Sequence, residues 1–307
     1  MLKQTLSRWF PRPFNPKKTQ SAKTGRGDEA NNDSNYVLVE DKGADTTIFC
    51  FSGVAGLSGL TWRLGGVPTF EFRGFFARHG GVCNLVFFRD IHAMLYQVTP
   101  GGKPGGAEFH EETITRLKEE LGATYNVTLG ASGGGAAAFY YGVKCSMDRI
   151  IAFAPVLDAD AWTALGSRWG NYLDVRKAFT HPVEYGEVVA VTLVANTLRR
   201  RMERRLTEAP IVDAAPMYRE ASPRPPATII YGEGCQPDVR QAEMLGDLPE
   251  VTLRPVPTGR HGCPMYLKKQ GLLASAVLEE LGKGSAPYNG SEKQFGEPQA
   301  ISATQGA

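Results

Sequence analysis

The chain has 307 residues, 42% of them hydrophobic, with 34 basic and 32 acidic side chains and a formal net charge of +2. That is enough apolar material for one large α/β domain, and the balanced charge excludes the basic excess that a nucleic-acid binder carries. No run reaches the roughly 18 apolar residues of a membrane span, and the five cysteines (Cys50, Cys83, Cys145, Cys235 and Cys263) follow no disulfide framework, which suits a reducing cytoplasm.

Residues 1–34 are rich in Lys, Asn, Asp, Gly and Pro and read as a disordered basic tail. Leu2, Leu6, Trp9 and Phe10 could share a helix face above Lys3 and Arg8 and touch a membrane surface weakly, but about ten residues is short for such binding. One folded domain is expected over 35–282, and residues 283–307 read as a second disordered tail. Short apolar runs predict strands at 36–39, 46–51, 83–88, 125–129, 149–154, 227–231 and 251–256. Several are apolar at consecutive positions, as strands buried on both faces should be.

Helices are predicted between them: 110–121, with Ile114, Leu117 and Leu121 along one face; 132–145, small and apolar; and 264–281, opening on Pro264. The alternation predicts an α/β fold, a mostly parallel sheet with helices on both faces. Residues 157–225 break the rhythm and predict a helical insertion or lid before the sixth strand. There Val191, Val194, Leu198, Met202 and Leu206 keep helical spacing opposite Arg199, Arg200, Arg201, Arg204 and Arg205. A solvated helix face accounts for those arginines better than an acidic substrate does.

The stretch "NVTLGASGGGAAAFYYG" (126–142) carries the chemistry. A dinucleotide-binding turn would follow the first strand of the parallel sheet, yet at least two core strands precede this one. The Tyr140/Lys144 pair also falls inside the helix that the glycines open. Gly130-Ala131-Ser132-Gly133-Gly134 instead fits G-x-S-x-G, directly after a strand and before a helix, where a strained serine needs small neighbours. The partners of a nucleophilic serine follow in chain order. Asp238 and Glu233 lie after the strand "ATIIYG", with Asp238 the preferred acid and Glu233 the alternative. His261 lies after "VTLRPVPTGR". An oxyanion hole would take the N–H of Gly133 and that of Val54, in the loop after "IFCF".

Arg89 and Asp90 end the third strand at the carboxyl edge of the sheet and could contact substrate or form a structural pair. Cys235, His261 and Cys263 are too scattered to hold zinc, so neither a metal nor another cofactor is expected.

The elbow, "FSGVAG" (51–56) and "GRHG" (259–262) resemble the α/β-hydrolase superfamily over roughly residues 36–282. "FSGVAG", "FEF" (70–72), "FFRD" (87–90) and "YGEGCQPDVRQAEML" (231–245) are similar to bacterial hydrolase-fold proteins associated with glycosyltransferases and surface polysaccharide. The resemblance implies a serine-dependent acyl hydrolase, an esterase or thioesterase, acting on an acylated saccharide or related metabolite. An acyltransferase on the same residues, or a non-catalytic binding or scaffold protein of polysaccharide synthesis, are the alternatives. Three departures stand out. Ser52 occupies the place where many members carry the His of H-G-x-x-G; the antiparallel start of the sheet is trimmed to one strand; and Cys235 stands where many members have the acid.

Overall fold

The computed structural model describes residues 36–53, 70–79, 83–92, 94–158, 175–180 and 214–282, with isolated positions between them. The strands are β1 (Val37–Glu40), β2 (Thr46–Phe51), β3 (Asn84–Phe88), β4 (Tyr125–Ala131), β5 (Arg149–Phe153), β6 (Ala227–Gly232) and β7 (Val251–Val256). The helices are α1 (Arg73–His79), α2 (Gly106–Leu121), α3 (Gly133–Lys144), α4 (Val175–Thr180), α5 (Ala214–Glu220), α6 (Gln236–Glu243), α7 (Cys263–Lys269) and α8 (Leu273–Gly282). Both tails, residues 1–34 and 283–307, lie outside the described residues, as do Val54 and the Arg199–Arg205 segment.

Each central strand is apolar on consecutive positions because both of its faces are covered. Phe49, Phe51, Val86 and Phe88 point to the side filled by Ile114 of α2, Phe139 and Tyr141 of α3 and Tyr218 of α5. Ile48, Cys50, Leu85 and Phe87 point to the other side, against Phe75 and Phe76 of α1, Leu267 of α7 and Val277 of α8. The strands run in the order β1-β3-β2-β4-β5-β6-β7, with β1 antiparallel to β3 and every other pair parallel. The mostly parallel sheet with helices on both faces is therefore as the sequence predicts.

One feature differs from expectation. The helix predicted over 264–281 is two helices, because Gly271 takes φ 72° and turns the chain between α7 and α8. The described part of 157–225 is helical, with α5 packing Tyr218 edge-on against Phe139 at 5.1 Å between ring centroids.

The order places β2 between β3 and β4, so the chain leaves β2 to one side and crosses to the other. Loops after β2 and β4 consequently diverge, and the crevice at their carboxyl ends is where open α/β sheets bind ligands. The opposite edge of the sheet is fastened by a buried ionic knot. Glu280 of α8 accepts from Arg149 at 2.6 Å, Thr228 at 2.7 Å and Arg254 at 3.2 Å. Removing the carboxylate leaves a buried guanidinium uncompensated, so Glu280→Ala should cost about 3–5 kcal/mol of unfolding free energy. A urea-melt midpoint unchanged from wild type would contradict that.

Candidate active site

Ser132 joins β4 to α3 with φ 55° and ψ −120°, a conformation a non-glycine residue holds only when its surroundings enforce it. They do so through the neighbouring strand. The Ser132 N–H donates to Phe153 O at 2.8 Å, and the Val156 N–H donates back to Ser132 O at 3.2 Å. The glycines make the tight passage possible. A Cβ on Gly130 would stand 2.1 Å from Gly134 O, and one on Gly134 would stand 2.2 Å from Phe51 O. The turn so made leaves Ser132 partly exposed while Gly133 onward is buried.

His261 follows β7 and precedes α7, and its ring is almost wholly buried. Its Nε2 lies 2.8 Å from Ser132 Oγ, and its Nδ1 lies 2.7 Å from Asp238 Oδ1. Asp238 sits in the first turn of α6, a helix opened by Cys235 and Pro237. Backbone bonds between the two loops set this distance: Glu233 N–H to Val256 O and Gly234 N–H to Thr258 O, each at 3.0 Å. The Glu233 side chain is exposed, so of the two carboxylates it is Asp238 that meets the imidazole. Nδ1 held by a carboxylate leaves Nε2 as the nitrogen facing the hydroxyl, the arrangement in which a histidine can take a serine proton.

The other described histidines are occupied elsewhere, His79 against the Phe75 ring at 5.3 Å between ring centroids. His92 Nε2 lies 2.8 Å from Pro100 O. His110 sits among Tyr36, Phe88, Tyr96, Phe109 and Tyr141, where burial pushes its pKa down to about 4 and keeps it neutral.

The loop after β2 abuts the elbow. A Cβ on Gly53 would stand 2.8 Å from Ala131 O and 3.5 Å from Ser132 Cβ, so only glycine allows so close an approach. Gly133, the other proposed oxyanion donor, opens α3, and the first N–H of a helix has no acceptor within that helix.

Asp90 turns both carboxylate oxygens onto its own loop, accepting from the N–H groups of His92 at 3.2 Å, Met94 at 2.6 Å and Tyr96 at 3.1 Å. Burial raises its pKa in spite of these bonds. The Arg89 guanidinium lies 4.4 Å from the centre of the Phe70 ring, and desolvation lowers its pKa to about 10. Tyr140 and Lys144 both lie within α3, and all five cysteines are free and buried. Among the described residues no cluster of three or more His, Cys, Asp or Glu side chains could hold a metal ion, and no helix is long and apolar enough to cross a membrane.

Sequence reasoning missed Glu71. Its carboxylate accepts from the Gly53 N–H at 2.9 Å, and its own N–H donates to Ser52 Oγ at 3.1 Å. The signal was local, a lone acid between two aromatics in "FEF", but its partners lie 18 and 19 residues upstream.

A seven-stranded, mostly parallel sheet whose fourth strand delivers a serine on a sharp turn into a helix is the α/β-hydrolase fold. No protein-family model matches the chain, nor does any curated protein. Among solved structures it is similar to MenH from S. aureus, 10% identical, with a TM-score of 0.49 over 80% of this chain and 97% of that one. It is also similar to MGS-M2, an α/β hydrolase from a deep-sea metagenome library, 16% identical, with a TM-score of 0.48 over 83% and 96%. A glycosylation-associated protein complex from Streptococcus agalactiae matches at 13% identity and a TM-score of 0.46, over 81% of this chain and 44% of that one.

Proposed function

We propose that the protein is a serine-dependent acyl hydrolase, and that its substrate is an ester borne by a saccharide or related metabolite. The observation that carries the reading is the unbroken chain Ser132 Oγ, His261 Nε2, His261 Nδ1, Asp238 Oδ1, with links of 2.8 and 2.7 Å. Oxygen attack by Ser132 on the ester carbonyl forms a C–O bond, and His261 takes the hydroxyl proton. The N–H groups of Gly133 and Val54 receive the oxyanion. Collapse breaks the bond to the leaving alcohol, which His261 protonates, and leaves an acyl-serine. Water then attacks that ester, giving its proton to His261, and the acid departs as Ser132 regains its hydrogen. Asp238 fixes the imidazole tautomer and stabilises the imidazolium throughout. The saccharide preference is supported by the sequence resemblance of "FSGVAG", "FEF" and "FFRD" to polysaccharide-associated hydrolase-fold proteins.

A fluorophosphonate probe tests the chemistry without knowledge of the substrate, since its phosphoryl oxygen occupies the same hole. Labelling should map to Ser132 and vanish in Ser132→Ala and His261→Ala proteins that still melt cooperatively. A folded wild-type protein left unlabelled across the neutral to mildly alkaline range would favour a binding or scaffold role. Acetate release from O-acetylated oligosaccharides, compared with a simple aryl acetate, tests the saccharide preference.

A further inference from the structure

We infer that Glu71 is a positioning residue, which fixes the Ser52–Gly53 segment against the Ser132 elbow and thereby presets the oxyanion side of the site. The inference rests on the acyl-transfer reading above and adds to it a residue outside the Ser–His–Asp set.

Glu71 and the segment after β2 hold each other reciprocally. The carboxylate takes the Gly53 N–H at 2.9 Å while the Glu71 N–H is taken by Ser52 Oγ at 3.1 Å. The remaining polar groups of Ser52 are also assigned. Its N–H donates to Phe88 O at 3.0 Å, and its carbonyl accepts from the Tyr96 hydroxyl at 2.9 Å. Glu71 is itself clamped from both sides. The Phe70 ring lies under the Arg89 guanidinium, and the Phe72 ring stacks on Phe153 at 5.8 Å, the residue whose carbonyl holds the Ser132 N–H. Position therefore passes from Phe153 at the end of β5, which holds the elbow, through Phe72 to Glu71, and from Glu71 back to Gly53. Ser52 has the small hydroxyl that this exchange needs, at the position where the resemblance puts a histidine in many members.

The packing around Glu71 raises its carboxyl pKa, and the Gly53 N–H only partly offsets this. Either ionisation state can accept from that N–H, so the hydrogen bond survives across the working range. The expected consequence is catalytic because oxyanion stabilisation depends on donors fixed in advance, and a misplacement of about 1 Å can cost about 100-fold.

The test is the rate of fluorophosphonate labelling by the full chain, with maximal rate, half-saturating probe concentration and thermal midpoint measured together. Glu71→Ala should lower the maximal rate at Ser132 by about 100-fold, with half-saturation little moved. Glu71→Gln, whose amide oxygen still accepts the Gly53 N–H, should recover to within about tenfold of wild type. A Glu71→Ala protein that labels at the wild-type rate overturns the inference. Faster labelling overturns it too, because the carboxylate would then be obstructing the hole. Equal slowing in Ala and Gln variants assigns the effect to charge and overturns it as well. If Glu71→Ala does not fold, Ser52→Ala decides, since it deletes the reciprocal hydroxyl alone. Slowing of about tenfold supports the inference and wild-type labelling overturns it. An unlabelled wild type removes the hydrolase reading itself, an outcome distinct from all of these.

Discussion

Asp238→Asn should lower turnover of an activated acetyl ester by about 10⁴-fold while leaving the fold in place. The carboxylate accepts from His261 Nδ1 at 2.7 Å and is buried in the first turn of α6. An amide of the same shape can present an N–H to Nδ1 and so stabilise the tautomer whose hydrogen sits on Nε2, facing Ser132. That imidazole cannot take the serine proton. Glu233→Gln is the control: its side chain is exposed and its backbone N–H, which pairs with Val256 O, is untouched by the change. Steady-state kinetics on both variants settle the assignment. A large loss in Glu233→Gln with an active Asp238→Asn would move the acid to Glu233 and leave the proposed reaction class standing.

The strands were readable because each central one is buried on both faces, and that burial writes itself locally as runs such as "TTIFCF" and "ATIIYG". The elbow was readable for a similar reason. The clash of any Cβ at Gly130 or Gly134 with backbone a few residues or one strand away forces glycine at fixed spacing around Ser132. What stayed hidden depends on partners remote in sequence. Arg149 meets Glu280 across 131 residues, and neither carries a periodic signal that points to the other. Glu71 is a single acid with no pattern around it, and its meaning lies in Gly53 and Ser52. The turn between α7 and α8 is a different case. The apolar spacing of 264–281 continues through it, and only Gly271, free to take φ 72°, marks the break.

The largest effect belongs to the serine and histidine together. Ser132→Ala and His261→Ala should each lower turnover of the same ester by about 10⁶-fold, and the double variant should be no worse than either. The reason is that the two groups act in one step. The hydroxyl is a poor nucleophile until Nε2, 2.8 Å away, removes its proton, and the imidazole has nothing to deprotonate once the hydroxyl is gone. Losses of independent contributors would multiply instead, and the double variant would fall below the slope of either single. Residual turnover common to all three variants would then come from the proposed oxyanion donors, the N–H groups of Gly133 and Val54, whose stabilisation of the oxyanion would not require the serine to react. Combining Ser132→Ala with Glu71→Ala separates these contributions. If Glu71 acts only by aiming an oxyanion donor, it should lower that residual rate further, although no nucleophile remains. A residual rate indifferent to Glu71 would confine its influence to the attack by Ser132.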